Sequence, residues 1–250
     1  MKNIKQTLKQ SEMIVNIYKN INNMFYTLCK VMRREPGRPT EKRDYWESRG
    51  ERYIEEVKSI YTNPEDPYYL AQSEIIRMLA EVPWKSLLEV GCGFGFYLEA
   101  FRQAFPERLV VGVDFSYSNL INGLKYLKNR HCNALMAQAD AFNLPFMDGS
   151  FDLVFTSGLI CCVHPKKIPL FIKEIKRVSN GHFLFVEYIE EHSRVRNNWE
   201  IPYHFHNLSK ICSSHGLIIK ESKPFDAFTK DQQGVPLSLT WAFDPSVSEV

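Results

Sequence analysis

No apolar run in this 250-residue sequence approaches 18 residues, so no segment reads as a membrane span. The first 20 residues carry Lys2, Lys5, Lys9 and Lys19 among apolar neighbours and lack the continuous hydrophobic core of a secretory signal. An excess of one charge is missing too. The 31 Lys and Arg against 29 Asp and Glu leave a formal charge of +2, which gives no global reason to expect nucleic acid or another polyanion as partner. The six cysteines, at 29, 92, 132, 161, 162 and 212, contain no Cys-x-x-Cys, and their one close pair is the adjacent Cys161 and Cys162. Zinc needs four converging ligands at short spacings, so no metal is expected, and buried reduced thiols point to a cytoplasmic protein.

What is present begins with an apolar strand, Leu87-Leu88-Glu89-Val90, that runs straight into Gly91-Cys92-Gly93-Phe94-Gly95. Three glycines at alternate positions describe a turn where backbone lies against a ligand. The next acidic landmark is Asp114, at the end of Leu109-Val110-Val111-Gly112-Val113 and 23 residues after Gly91, the separation of two strand ends joined through one crossover helix. A carboxylate there accepts from ribose hydroxyls, a role shared with dinucleotide enzymes. The dinucleotide fingerprint, however, wants a third glycine where this chain has Phe96. A large ring at that position argues against a pyrophosphate, so nicotinamide-dependent redox chemistry is disfavoured.

At this point the chain resembles the class I S-adenosylmethionine-dependent methyltransferases, of the small-molecule type, over residues 85 to 221. Glu89, Gly91, Gly93 and Gly95 match the family's E/D-x-G-x-G-x-G motif, and Asp114 in Val113-Asp114-Phe115-Ser116 matches its ribose-binding acid. Ala139-Asp140-Ala141 matches the segment that meets the adenine, and Leu144-Pro145-Phe146 with Phe151-Asp152-Leu153-Val154 matches the approach to the fourth strand. The resemblance implies an α/β fold, a Rossmann-like three-layer α/β/α sandwich with a mostly parallel seven-stranded sheet, and S-adenosyl-L-methionine as cofactor. It implies that Phe115 walls the nucleoside, that Ala141 offers its backbone, and that Ser157, after the fourth strand, sits by the donor.

Strands are predicted at 86–90, 109–114, 134–139, 151–156 and 182–186, with helices at 96–105, 117–129 and 168–178. Ser179-Asn180-Gly181 reads as a helix stop, with Gly181 as its left-handed cap. A helix over 207–214 precedes a strand at 216–220, and 236–243 supplies the family's closing antiparallel strand, while the path of 225–234 is not legible. Ahead of the sheet, Ile4 to Leu28 show helical spacing that ends at Gly37 and Pro39, a second helix is predicted over 41–59, and a third over 67–81. The boundary near Asn63-Pro64 gives a helical N-terminal cap over 1–63 and a methyltransferase domain over 64–250. The second helix aligns Tyr45, Arg49, Tyr53 and Val57 at steps of four. That stripe either packs the helix onto the sheet domain or closes a cap over donor and substrate. The Tyr45-Trp46 pair resembles one found in many family members, and by that likeness Tyr45 or Arg49 approaches the methionine carboxylate.

Methyl transfer from a sulfonium needs in-line placement, plus a base where the acceptor is a hydroxyl. Candidates are His164, after the fourth strand, and His204 and His206 in Tyr203-His204-Phe205-His206, whose alternation points both rings to one side if extended. The expected acceptor is an oxygen or nitrogen of a small organic molecule, handled by a monomer or homodimer, with no nucleic-acid or membrane partner. The alternatives are a protein or RNA methyltransferase and a non-catalytic S-adenosylmethionine-binding partner protein. The Asn/Asp-Pro-Pro-Tyr/Phe motif of nucleic-acid amino methyltransferases is replaced here by Thr156-Ser157-Gly158-Leu159.

Overall fold

A computed structural model describes residues 45–49, 52–55, 57, 63, 67–188, 194–196, 203–225 and 237–247. The helix expected over 4–28, its stop at Gly37 and Pro39, and the stretch 226–234 lie outside the described residues. Residues 41–250 form one compact unit, in which 45–49, 52–55 and 57 are helical. The remaining order is α1 (Pro67–Glu81), β1 (Ser86–Val90), α2 (Phe96–Ala104), β2 (Leu109–Asp114), α3 (Tyr117–Asn129), β3 (Leu135–Gln138), β4 (Phe151–Ser157), α4 (Ile168–Val178), β5 (Ser179–Tyr188), β6 (Arg194–Arg196), β7 (Tyr203–Phe205), α5 (Leu208–Ser214), β8 (Ile218–Phe225) and β9 (Leu237–Phe243). None of the described helices is long and apolar enough to cross a membrane.

The strands form a seven-stranded sheet in the order β3-β2-β1-β4-β5-β9-β8. The first five are mutually parallel, and β9 runs antiparallel to both β5 and β8. This is the mostly parallel three-layer architecture expected. Its strands are continuous apolar runs because both faces are covered, and successive side chains alternate between two cores. Leu87, Val110, Leu153, Phe155 and Leu184 face the layer of α1 and α2, with Leu79 and Phe101. Leu88, Val111, Val154, Phe183 and Phe185 face α4 and α5, with Phe171 and Ile211. Chain connection reverses between β1 and β4, which opens a crevice beyond their carboxyl ends.

Three expectations about local structure are corrected. Gly181 is not a helix cap: α4 ends in Ser179, already extended at φ −96° and ψ 144°, and Ser179 pairs with Phe151 as the first residue of β5. Gly181, at φ 112°, sits instead where β5 shifts register against β4, its N–H donating to Ser179 Oγ at 3.0 Å. The left-handed cap belongs to Gly216, φ 73°, which closes α5 through its N–H to Ser213 O and the Leu217 N–H to Cys212 O. A separate two-stranded antiparallel ribbon, β6 with β7, was not foreseen, and β8 begins at Ile218 and extends to Phe225 rather than spanning 216–220.

At the end of β5, Glu187 is 1% exposed and fastens the loop that leaves β4. Its Oε1 accepts from Thr156 Oγ1 at 2.9 Å, Leu159 N at 3.0 Å and Ile160 N at 3.1 Å. Burial pushes its carboxyl up to about 7, against the pull of those hydrogen bonds.

Gly112 leaves equally little latitude on β2, because a Cβ there would lie 2.5 Å from Leu98 Cδ1 and 2.8 Å from Cys92 Cβ, both in the buried layer under the glycine turn. Gly112→Ala is therefore expected to cost about 1–3 kcal/mol by overpacking, read as a lower urea midpoint with unchanged slope. Glu187 gives a signed pH expectation. Its folded carboxyl holds a proton to higher pH than the unfolded one, so stability falls as pH rises from about 4.5 to about 7 and levels beyond. In Glu187→Gln that share of the decline should vanish; a denaturant-midpoint profile as steep as that of the unaltered protein would contradict the assignment.

Candidate functional site

The crevice is built on the turn after β1. Gly91 N and Cys92 N both donate to Val113 O, at 2.8 and 2.9 Å, so the turn is stitched to the end of β2 before any side chain contributes. Gly91 has φ +79°, and a Cβ on it would meet Leu159 Cδ1 at 3.0 Å. At Gly93, φ +53°, a Cβ would meet the Tyr53 ring at 3.4 Å. Gly95 serves as N-cap of α2 in the left-handed conformation.

Asp114 ties this turn to the next. Its Oδ2 accepts from Gly93 N at 2.9 Å and its Oδ1 from Ser116 N at 2.8 Å, while Ser116 Oγ caps α3 by accepting from Asn119 N at 3.2 Å. Burial raises the Asp114 carboxyl to about 6, with the two backbone N–H groups pulling the other way. A carboxylate has about four acceptor directions, so these bonds leave capacity for a ligand.

Tyr53, Glu89, Gly91, Cys92, Gly93, Phe94, Phe96, Tyr97 and Ser157 line an open cleft. Its most telling group is Glu89, 2% exposed at the end of β1, whose Oε2 has no hydrogen-bond partner among the described residues. Burial, then the charge of Asp114, pushes its carboxyl well above the usual carboxylate range. A buried carboxylate oxygen left unmatched is costly, and a cationic or hydrogen-donating ligand would satisfy it. Burial likewise raises the phenol of Tyr97, which lines the cleft together with Ser157.

The helical residues 45–49, 52–55 and 57 dock at the same end of the sheet. Glu47, which sequence reasoning overlooked, accepts from Tyr117 N at 2.9 Å and Ser118 N at 3.0 Å, so its carboxylate satisfies open donors at the start of α3. Ser118 Oγ donates to Glu47 O at 2.8 Å. Nothing local marks this residue, since its partners lie some 70 positions away. Arg49 donates to Tyr45 Oη at 2.9 Å, and its guanidinium lies 5.1 Å from the Tyr53 ring centre, 5.3 Å from Tyr45 and 5.5 Å from Trp46. Tyr53 in turn meets Phe94 edge to face, which carries this aromatic group to the glycine turn.

The remaining candidates flank the cleft rather than line it. Asp140 follows β3 and accepts from Phe142 N at 3.0 Å, with Ala141 half-buried beside it. Phe115 is also half-buried, its carbonyl held by Gln138 Nε2 at 2.8 Å. The three histidines come together through β7. His164 and His204 rings are 5.1 Å apart, and His204 and His206 rings 6.2 Å. His164 is exposed and caps a 3₁₀ turn, its Nδ1 accepting from Lys166 N at 3.2 Å. His206 is buried, with Nε2 2.9 Å from Val163 O, and burial lowers its pKa. Among the described residues no group of three or more His, Cys, Asp or Glu could hold a metal ion.

Comparison with known proteins agrees with this geometry. Residues 87–181 match the model of a methyltransferase domain family. The chain is 31% identical over 96 residues to malonyl-[acyl-carrier protein] O-methyltransferase of Legionella pneumophila, covering 38% of this chain and 33% of that protein. It is 31% identical over 127 residues to fatty-acid O-methyltransferase of Mycolicibacterium smegmatis, covering 49% and 42%. The chain thus spans less than half the length of these curated relatives. Among solved structures, the 1,6-didemethyltoxoflavin-N1-methyltransferase of Burkholderia thailandensis, with bound 1,6-didemethyltoxoflavin and S-adenosylhomocysteine, superposes with a TM-score of 0.64 at 14% identity, covering 84% of this chain and 92% of that one. Residues 87–181 thus match a methyltransferase domain and sit in the sheet order of the Rossmann-like class I methyltransferase fold.

Proposed function

We propose that this protein transfers the methyl group of S-adenosylmethionine to an oxygen or nitrogen of a small organic acceptor. The observation that carries the reading is the buried, unmatched Glu89 oxygen facing a glycine turn that Asp114 holds open. Gly91, Gly93 and Gly95 would bed the amino-acid portion of the donor, and Glu89 would take its ammonium. Tyr45 and Arg49, on the helix that shelters the turn, would meet its carboxylate. Asp114 and Phe115 would hold the ribose, Asp140 and Ala141 the adenine, and Ser157 the donor's acceptor-facing side. When bound, the sulfonium supplies a methyl group already activated for displacement. The chain's own task is then to place a nucleophile in line and exclude water.

The histidines divide by their bonding. Nδ1 of His164 is occupied by the Lys166 N–H, which puts the neutral ring's proton on Nε2, and His206 is tied to the Val163 carbonyl. His204, buried between them, is assigned the proton of a hydroxyl acceptor. The helical residues 45–49, 52–55 and 57 act as part of a cap over the donor.

Calorimetry with S-adenosylmethionine and with its demethylated product should give saturable one-to-one binding, and its absence from folded protein overturns the reading. Asp114→Ala is expected to weaken donor binding about 10- to 100-fold, since each ligand hydrogen bond to a charged group contributes on the order of 1.5–3 kcal/mol. Arg49→Ala should weaken the amino-acid-bearing donor and leave adenosine affinity unchanged. Incubation with methyl-labelled donor and a cell-extract metabolite pool should label a small molecule; donor binding without labelling of any metabolite would favour a non-catalytic binding protein.

A further inference from the structure

The loop between β4 and α4 carries a second chemical feature that the donor cleft does not use. Cys161 and Cys162 are consecutive on the single 3₁₀ turn Ile160–Cys162, and neither forms a disulfide. Their two thiols converge on one acceptor, Gly158 O, with Cys161 Sγ at 3.2 Å and Cys162 Sγ at 3.8 Å. Adjacent side chains on a helical turn ordinarily diverge by about 100°, so a shared acceptor brings these two sulfurs onto one side of the loop. Cys161 is pushed well above the ordinary thiol range first by its hydrogen bond with Cys162 and then by burial.

The surroundings suit a ligand held by both sulfurs. Cys161 is buried and Cys162 is half-buried, so the pair meets solvent chiefly through Cys162. Gly158, at φ +61°, leaves space beside the thiols, and a Cβ on it would meet nothing among the described residues within 4 Å. The turn itself is rigidly seated, because Glu187 accepts from both Leu159 N and Ile160 N immediately before the cysteines. Two soft donors on a fixed loop, where no group of three or more His, Cys, Asp or Glu among the described residues could hold a metal ion, suit a soft, thiophilic centre of low coordination number.

We propose that Cys161 and Cys162 form a dithiol site that chelates a trivalent arsenical or an equally thiophilic electrophile. With an organoarsenic oxide, two S–H bonds break and two As–S bonds form. The oxide oxygen leaves with both protons as one water, and arsenic stays trivalent, so no oxidant or reductant is consumed. The site does not depend on methyl transfer, and its test reads binding alone.

Phenylarsine oxide is the probe. The native chain should retain one equivalent by intact mass against a large excess of glutathione and release it to 2,3-dimercaptopropanol, because only a chelate outlasts a monothiol competitor. Peptide mapping should place the arsenic on the segment containing Cys161 and Cys162. Cys161→Ala and Cys162→Ala should each lower retention at least 100-fold, with circular dichroism confirming the fold, whereas Cys132→Ala and Cys212→Ala should retain the adduct. No retention by the native chain, an adduct mapped to another cysteine, or equal retention in Cys162→Ala would overturn the proposal. The mapping requires no variant, so it decides the question even where a substitution at buried Cys161 prevents folding.

Discussion

Everything at the functional end of this molecule depends on one buried carboxylate. Asp114 accepts from Gly93 N with one oxygen and from Ser116 N with the other, so a single side chain joins the turn after β1 to the turn after β2. The main chain adds two further stitches, from Gly91 N and Cys92 N to Val113 O. The glycine turn is thereby held in a left-handed path that it would not keep alone, and Ser116 is placed to cap α3. Desolvating a carboxylate is costly, and the two N–H groups offset that cost while leaving acceptor capacity for a ligand.

Two other carboxylates extend the same logic to the neighbouring elements. Glu47 fastens its helical segment onto the start of α3, and with it the Tyr45, Trp46, Arg49 and Tyr53 group that covers the glycine turn. Glu187 seats the loop after β4, from which Leu159 reaches back over Gly91. The cleft is therefore bounded by three loops, each fixed by an acidic side chain bonded to backbone N–H groups. Glu89 and Glu187 each keep a buried oxygen with no hydrogen-bond partner among the described residues, but of the two only Glu89 lines the cleft.

Much of this was legible in sequence because it is local. Strands buried on both faces read as apolar runs, so β1, β2 and β4 stand almost where expected, and α3 and α4 match to the residue. Gly91, Gly93 and Gly95 declared themselves by spacing, and each has positive φ. Errors arose where the same residue types serve two geometries. A glycine after a helix signals a left-handed cap, but at Gly181 the strand pairing of Ser179 with Phe151 took precedence, and the glycine became a register shift. The β6–β7 ribbon left no trace because strands of three residues carry too little pattern to read.

The sequence by itself determined the alternation of strands and helices, the left-handed turn after β1 and the acid at the end of β2, since these follow from periodicity and from conformations only glycine tolerates readily. It also carried the order of motifs by which the chain resembles the class I S-adenosylmethionine-dependent methyltransferases. Only the tertiary structure decided that Glu47 caps a helix some 70 residues away, that Glu89 keeps an unmatched oxygen, that His164, His204 and His206 gather through β7, and that Cys161 and Cys162 turn to one carbonyl. The physical reason is that hydrogen-bond satisfaction and burial belong to pairs of groups distant along the chain. A carboxylate or thiol looks the same in sequence whether its partner is present or missing, and only the fold assigns the partner.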